Sequence, residues 1–262
     1  MPFHQPNAVR YLTLDSFTLP ALTHAIFTRH GGVSQQPWAS LNVGLTVGDN
    51  PQNVATNRKI SFETVGRDAQ TLSDSWLVHG KGVFIYNEPR TNVQQEPPKA
   101  DIILTDNPQV TLYMRYADCV PILLYDPVNK AVGLAHSGWK GTLAHVASAA
   151  VAAMQARYGS HPEELIAAIG PSIGPSRYEV GPEVAAAVKQ VFGASSTQLL
   201  PKYGSSTHFD LWAANELVLS QTGVKNIEQA NICTSTTQQD WFSHRAENGN
   251  TGRFSVLLGL ND

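Results

Sequence analysis

The 262-residue sequence contains little sulfur and little charge: two cysteines, three methionines and 15% charged residues. Two cysteines are too few for the disulfide framework of a small secreted protein, and a chain of this length can bury a core without one. We therefore predict that Cys119 and Cys233 are free thiols or metal ligands. The net charge is -3 and no run rich in lysine and arginine occurs, which excludes the electrostatic signature of a general nucleic-acid or anionic-membrane binder.

Long apolar runs are also missing. No stretch approaches the roughly 18 apolar residues that a membrane span needs, and the start, MPFHQPNAVRYLTLD, lacks the basic and apolar regions of a signal peptide. We expect a cytoplasmic protein that is a monomer or a weak homodimer and whose partner is a small molecule.

Short aliphatic segments and helix-like segments follow one another irregularly. The patterns predict strands at 24–28, 83–86, 102–105, 111–115, 121–125, 131–136, 166–169 and 255–259, and helices at 142–158, 182–192 and 211–222. Thr142 and Asp210 are the predicted N-caps, and Gly159 and Gly223 the predicted helix stops. The polar segment 87–99 is typical of an exposed excursion between two strands of one sheet. We predict a single α/β or mixed α+β domain over 1–262, because the order lacks the regular alternation of a doubly wound fold.

Residues 117–141, ADCVPILLYDPVNKAVGLAHSGWKG, contain two apolar runs separated by turn residues at 126–129. A hairpin whose turn is centred between Pro127 and Val128 places Cys119 directly opposite His136. Opposed side chains share a face with Cβ atoms about 4.5 to 5.5 Å apart, close enough for a thiolate and an imidazole to share a zinc ion. The same pair can equally be a cysteine nucleophile and its general base. Spacing alone leaves both interpretations open.

A family resemblance extends along almost the whole chain. Its blocks are TRHGGVSQQPWASLNVG (28–44), GDNPQNVATNR (48–58), VHG (78–80), ADCVPILLYDP (117–127), AHSGWKG (135–141), IGPSIGPSRYEVG (169–181) and FSHRAENGNTGR (242–253). In these blocks the sequence resembles the laccase-domain family of purine nucleoside phosphorylases, also called YfiH-like and formerly multicopper polyphenol oxidases. The resemblance implies a layered sandwich of mixed β-sheets flanked by helices.

The resemblance also implies one zinc ion per chain, held by His79, Cys119 and His136. Nothing in spacing or periodicity selects His79, which rests on the VHG block alone. Three protein ligands leave a tetrahedral zinc with one open position, as in catalytic sites. The implied chemistry is phosphorolysis of adenosine, inosine and methylthioadenosine to the base and ribose 1-phosphate (5-methylthioribose 1-phosphate from methylthioadenosine), together with adenosine deamination.

Substrate-contacting candidates also lie in the matching blocks: Asn42 for the nucleoside, and Arg58, Lys140 and Arg245 for phosphate. Asp118, next to a ligand, is a candidate acceptor for a histidine N–H or a proton-transfer group. His244 is a candidate base. Lys140 stands where the family commonly has arginine, which removes a planar bidentate fork. Ser176 replaces a frequent cysteine that is not one of the ligands.

Three other functions compete with this one. Copper polyphenol oxidase chemistry needs clustered histidines, and the nine histidines here include no H-x-H motif. A metal-free cysteine hydrolase or amidase would use Cys119 and His136, for example in editing peptidoglycan precursor peptides. A structural zinc protein would need a fourth ligand, for which Cys233 is the candidate.

Overall fold

The computed structural model describes residues 1–90 and 96–262 and contains two six-stranded mixed β-sheets. The strand order of the first sheet is β1 (Phe3–His4), β2 (Tyr11–Leu12), β3 (Leu22–Phe27), β14 (Phe254–Leu260), β7 (Thr111–Tyr116), β4 (Leu72–Asp74). The order of the second is β13 (Asn226–Gln229), β10 (Ile166–Ile169), β8 (Val120–Asp126), β9 (Ala131–Ser137), β6 (Ile102–Thr105), β5 (Val83–Ile85). Strands β11 (Lys202–Tyr203) and β12 (Ser206–Thr207) form a separate hairpin. Three edge pairs, β4–β7, β5–β6 and β10–β13, are parallel.

The described residues form six α-helices beside the sheets: α1 (Pro51–Thr64), α2 (Trp139–Leu143), α3 (Val146–Tyr158), α4 (Pro182–Phe192), α5 (Ser196–Leu199) and α6 (Leu211–Gln221). No described helix is long and apolar enough to cross a membrane.

The central strands are buried on both faces, which explains their continuous apolar runs. Along β8, Ile122 and Leu124 share a core with helices α3, α4 and α6, whereas Leu123 and Tyr125 share a core with the first sheet. On the far side of the first sheet, Phe62 of α1 packs in a third core. The layers therefore run α1, first sheet, second sheet, then α3, α4 and α6, which confirms the expected layered sandwich of mixed sheets flanked by helices.

All eight predicted strands are present, and the parallel pairing of β5 with β6 confirms that 83–86 and 102–105 are neighbours in one sheet. Residues 91–95 of the predicted excursion between them lie outside the described residues. Asp210 caps α6 by accepting a hydrogen bond from Ala213 N, and Gly159 ends α3 in the left-handed region. These are the predicted cap and stop.

The single helix predicted at 142–158 is wrong, because His145 adopts a left-handed conformation with φ 58° and separates α2 from α3. Gly138, not Thr142, is the N-cap residue of α2. The Thr142 hydroxyl instead contacts the hydroxyl of Ser137 at 2.9 Å. The chain thus turns between two short helices directly after β9.

The predicted hairpin exists as β8–β9, but its register differs by two residues. Asp126 pairs with Ala131 and Pro121 with His136, so Cys119 is not directly opposite His136. The reason is that the Asp126 carboxylate accepts hydrogen bonds from the backbone N–H groups of Val128 and Asn129, which places the turn after Asp126. Because side chains alternate with a period of two, a shift of two residues keeps both side chains on the same face.

Candidate metal centre and active-site cavity

Three side chains meet at one end of the second sheet. The ligand atoms of His79, Cys119 and His136 all lie within 4.8 Å of one another. His79 comes from the loop after β4 and has a left-handed φ of 57°. Cys119 directly precedes β8, and His136 is the last residue but one of β9. These residues can hold a metal ion, and their burial increases from the exposed His79 through the half-buried Cys119 to the buried His136.

Asp101 organises this cluster. Its buried carboxylate lies 3.0 Å from Nδ1 of His136 and accepts backbone N–H groups from Val78, His79 and Gly80 at 3.2, 3.0 and 2.7 Å. Because Nδ1 of His136 donates to this carboxylate, Nε2 is free to bind a metal. One carboxylate therefore orients one donor and fixes the loop that carries another.

The electrostatics of the cluster favour a thiolate. Burial alone would raise the pKa of Cys119, but the positive charge of His136 and hydrogen bonds from His136 and His79 outweigh it and lower the pKa to about 6. Burial alone would lower the pKa of His136, but Cys119 and Asp101 raise it to about 9. In the metal-free protein at neutral pH, Cys119 and His136 thus form an ion pair, and the thiolate is the form that binds metals and acts as a nucleophile.

Glycine is required at the position after β9. A Cβ atom on Gly138 would lie 2.8 Å from Cys119 Sγ and 3.5 Å from His79 Nδ1. Helix α2, which begins at Trp139, is held against the strand end by a buried network in which the Ser137 hydroxyl donates to Asn215 Oδ1 at 2.7 Å and Asn215 Nδ2 donates to Thr142 at 3.1 Å. The close approach of α2 forms one wall of the site.

A cavity of about 900 Å³ lies against the cluster. Three aromatic side chains contribute to its wall: Trp76, Trp139 and Tyr178. Its cationic lining residues are Arg58, Lys59, Arg90, Arg115, Lys140, Arg245 and Arg253. The cavity thus combines metal donors, aromatic surface and a surplus of positive charge, which suits an anionic or phosphate-bearing ligand together with a flat ring.

Part of this positive charge converges on Asp74, which is almost completely buried. Arg90 Nη2 lies 3.1 Å from Asp74 Oδ1, and the Nη1 atoms of Arg58 and Arg115 lie 3.5 and 3.7 Å from Oδ2. Arg58 also donates from Nε and Nη2 to the carbonyl of Val43, at 3.2 and 3.1 Å. Three arginines therefore share one carboxylate, and this part of the cavity wall keeps a net positive charge.

Residues 23–261 match the family described as multi-copper polyphenol oxidoreductase laccase. The chain belongs to this family. Its relatives include proteins named purine nucleoside phosphorylase from Deinococcus radiodurans (36% identical, covering 92% of this chain and 90% of the relative) and purine nucleoside phosphorylase YfiH from Escherichia coli (33%, covering 89% and 91%). The crystal structure of YlmD from Geobacillus stearothermophilus superimposes with a TM-score of 0.91 at 32% identity, covering 99% of both chains. The predicted family membership is thus confirmed.

Most of the residues predicted to contact the substrate line the cavity, but one does not. Arg58, Lys140 and Arg245 all line it, and His244 lines it as an exposed residue. Asn42 does not fit its predicted role as a nucleoside contact, because it is completely buried and its amide is used within the protein. Asn42 Oδ1 accepts from the backbone N–H groups of Gly44 and Arg253, and its Nδ2 donates to Asp49.

Asp118, a predicted acceptor for a ligand histidine, and Cys233, the candidate fourth zinc ligand, have other hydrogen-bond partners. Asp118 accepts hydrogen bonds from the hydroxyls of Thr234 and Ser243 and from the backbone N–H of Arg245, at 2.6, 2.8 and 2.6 Å. Asp101 rather than Asp118 is the carboxylate that contacts His136. Within residues 1–90 and 96–262, Cys233 is not part of the donor cluster; its Sγ accepts a hydrogen bond from Gly174 N at 3.2 Å. A fourth protein ligand from Cys233 is therefore contradicted.

The cavity and cluster residues that the sequence interpretation missed include Asp74, Asp101, Arg115 and Arg253. Each is a single charged residue inside or beside a buried aliphatic strand. A lone charge at such a position is costly unless it is paired, so this placement was a usable signal for a functional site.

Proposed function

We propose that the chain is a zinc-dependent purine nucleoside phosphorylase with adenosine deaminase activity. Adenosine, inosine and methylthioadenosine would be its nucleosides. With phosphate, adenosine and inosine would give the free base and ribose 1-phosphate, and methylthioadenosine would give adenine and 5-methylthioribose 1-phosphate. The observation that carries this proposal is the three-donor cluster at the wall of a cavity rich in arginine and aromatic side chains. The names of the relatives, purine nucleoside phosphorylase, support it.

The donor set fits zinc. One thiolate and two imidazoles are zinc ligands, and His136 is oriented from behind by Asp101, as histidine ligands usually are. With three protein ligands, a bound zinc would have an open position and would supply a Lewis acid that can lower the pKa of a water molecule to about 7. Copper polyphenol oxidation is less well supported, because the described residues contain one such three-donor cluster and the sequence contains no H-x-H motif.

The cavity walls suggest how the two substrates are divided. The rings of Trp76, Trp139 and Tyr178 offer stacking surface for a purine, and Arg245 lies over the Tyr178 ring at 4.9 Å. Lys140 and Arg245, both exposed at the cavity, provide charge for phosphate and for the product ester. The hydrogen bond to Asp101 would keep the proton of His136 on Nδ1, so that Nε2 could bind the zinc ion during both reactions. Asp118 and His244, which both line the cavity, are the candidates for proton transfer to the departing base.

The test combines metal analysis with product analysis. The zinc content per chain is measured, and adenosine is incubated with and without phosphate while adenine, inosine and hypoxanthine are quantified by mass spectrometry. Adenine that forms only with phosphate supports phosphorolysis, and inosine that forms without phosphate supports deamination. Absence of all purine products from the zinc-loaded protein would refute the proposal.

A metal-free cysteine hydrolase is the second candidate, because the Cys119–His136 ion pair is also the arrangement of an activated nucleophile and its base. His79 separates the two. In a zinc enzyme, His79→Ala abolishes zinc binding and purine turnover together, whereas the exposed His161→Ala changes neither. Hydrolysis of peptidoglycan precursor peptides by zinc-free His79→Ala protein would support the hydrolase instead.

A further inference from the structure

Arg253 lies at the cavity wall immediately before β14. Phe254 pairs with Tyr116 across the first sheet, so the same register brings Arg253 beside Ala117, two residues before Cys119. Burial lowers the pKa of the Arg253 guanidinium, while the negative charges of Cys119 and Asp118 act to raise it. The guanidinium is therefore within electrostatic range of the metal-donor cluster.

The guanidinium of Arg253 has unused donors, in contrast to that of Arg58. Its Nη1 donates to the carbonyls of Thr251 and Gly252, at 3.2 and 2.8 Å. In the described part of the chain, neither Nε nor Nη2 has a protein acceptor, and no carboxylate pairs with this arginine. The Nε–Nη2 edge is the planar fork that binds two oxygens of a phosphate. Arg58, by comparison, uses Nε and both Nη atoms on Val43 and Asp74.

Surrounding residues fix the position of Arg253 in advance. Asn42 Oδ1 accepts from Arg253 N at 2.8 Å and from Gly44 N at 2.9 Å, and Asn42 is itself held by Asp49 at 2.8 Å. Gly44 leaves the space that the arginine side chain needs, because a Cβ atom there would lie 2.7 Å from Arg253 Cγ. An arginine that is held by its neighbours while one edge stays free is arranged for ligand binding.

We propose that Arg253 binds the phosphate co-substrate through Nε and Nη2, and that Asn42 is a positioning residue that acts through Arg253. This inference rests on the proposed phosphorolysis and names the phosphate contact within it. Arg58 then has a structural role with Asp74, while Lys140 and Arg245 lie at the exposed part of the cavity. Phosphate at Arg253 would sit close to the donor cluster, where the nucleoside bond is to be cleaved.

The test measures binding of inorganic phosphate to the zinc-loaded protein by calorimetry, together with the KM values for phosphate and adenosine. Losing a hydrogen-bonded charge contact weakens phosphate binding by about 10- to 100-fold, so Arg253→Gln should raise both the phosphate Kd and the phosphate KM by that factor. Zinc content and the adenosine KM should stay unchanged. Arg253→Lys keeps the charge but loses the planar fork, so its phosphate Kd and KM should lie between those of the native protein and of Arg253→Gln. The exposed Arg177→Gln is the matched control.

Asn42 is tested by the same comparison of the KM for phosphate with the KM for adenosine. Asn42→Ala should raise the phosphate KM while leaving the adenosine KM near its native value, which a general loss of structure would not do. Because Asn42 is completely buried, Gly44→Ala is the second variant: its new Cβ would lie 2.7 Å from Arg253 Cγ and 3.3 Å from Asn42 Oδ1, so it presses mainly on the Arg253 side chain and removes no hydrogen-bonding atom. Both variants should raise the phosphate Kd and the phosphate KM, as Arg253→Gln does.

Two results would overturn the inference: an unchanged phosphate Kd in Arg253→Gln, or a loss of zinc that parallels the loss of phosphate binding. If the native protein releases no adenine from adenosine and phosphate, the proposed function fails, but the calorimetric titration still decides whether Arg253 binds phosphate. The two failures are therefore distinguishable.

Discussion

Asp101 Oδ1 lies 3.0 Å from both the imidazole Nδ1 of His136 and the backbone nitrogen of His79. One buried carboxylate thus connects the end of β9 with the loop after β4, which are separated by more than fifty residues of sequence. It supplies the hydrogen bond that fixes the His136 tautomer, and it compensates three N–H groups that would otherwise be unpaired. The geometry of two metal donors therefore depends on this residue.

We expect Asp101→Asn to weaken zinc binding by about 10- to 100-fold, because an amide cannot act as the charged acceptor of both His136 and the 78–80 loop. Competition with a chromophoric chelator measures the affinity. The exposed Asp106→Asn, four residues beyond β6's start, is the matched control and should bind zinc normally. Native affinity in Asp101→Asn would show that Asp101 does not orient the ligand.

The lowered pKa of Cys119 has a pH signature. Burial acts to raise it, yet His136 and His79 bring it to about 6. In metal-free protein carrying Cys233→Ser, the rate of alkylation by iodoacetamide should therefore reach its half-maximum near pH 6. It should decline as pH falls through 6, where the thiolate becomes protonated.

His136→Gln supplies the control for this profile, because it removes the positive charge that stabilises the thiolate. Its midpoint should move up towards the ordinary thiol value of about 8.5. Identical midpoints in both proteins would mean that His136 does not activate Cys119. Added zinc should protect Cys119 in the parent protein.

Much of the scaffold around Cys119 and His136 was predictable from sequence, because aliphatic strands bounded by turns have a strong local pattern. Cys119 and His136 lie on the same face of the hairpin, as predicted, because the actual register differs from the predicted one by an even number of residues. Helix α1 was not predicted, because its buried residues Asn57 and Ser61 are polar and leave no apolar stripe. The break at His145 depends on one residue with a left-handed backbone, which helical propensity does not indicate.

The remainder of the site is non-local. His79 comes from a loop, so no strand register connects it with the hairpin, and only family resemblance identified it. Asp74 and Arg115 meet because β4 and β7 pair in parallel, a relationship that no local pattern encodes. Asp101 stands opposite His136 because β6 pairs with β9, two strands about thirty residues apart in sequence. Arg253 lies in the first sheet, so its approach to the donor cluster follows from the packing of that sheet on the second.

Gly138 tests the space around the metal donors. We expect Gly138→Ala to lower zinc affinity strongly while changing the melting temperature little, because the new Cβ would meet Cys119 Sγ at 2.8 Å at the surface of the cavity rather than in the main core. Gly82→Ala, where the nearest atom lies at an ordinary 3.5 Å, is the matched control. A zinc-loaded Gly138→Ala protein of native affinity would argue against the donor geometry.

Asp74 should show opposite effects on stability and on anion binding. Its carboxylate is the shared partner of Arg58, Arg90 and Arg115, all of which are mostly buried. Removing one member of a buried charge group leaves uncompensated charge, so Asp74→Asn should lower the free energy of unfolding by about 3 to 5 kcal/mol in urea titrations. The exposed pair Lys59–Glu63 provides the control: Glu63→Gln should change stability by about 0.5 kcal/mol or less.

Where Asp74→Asn remains folded, the cavity gains net positive charge and should bind inorganic phosphate more tightly than the native protein does. Weaker phosphate binding in folded Asp74→Asn would mean that the carboxylate's positioning of the arginines matters more than the charge that it neutralises.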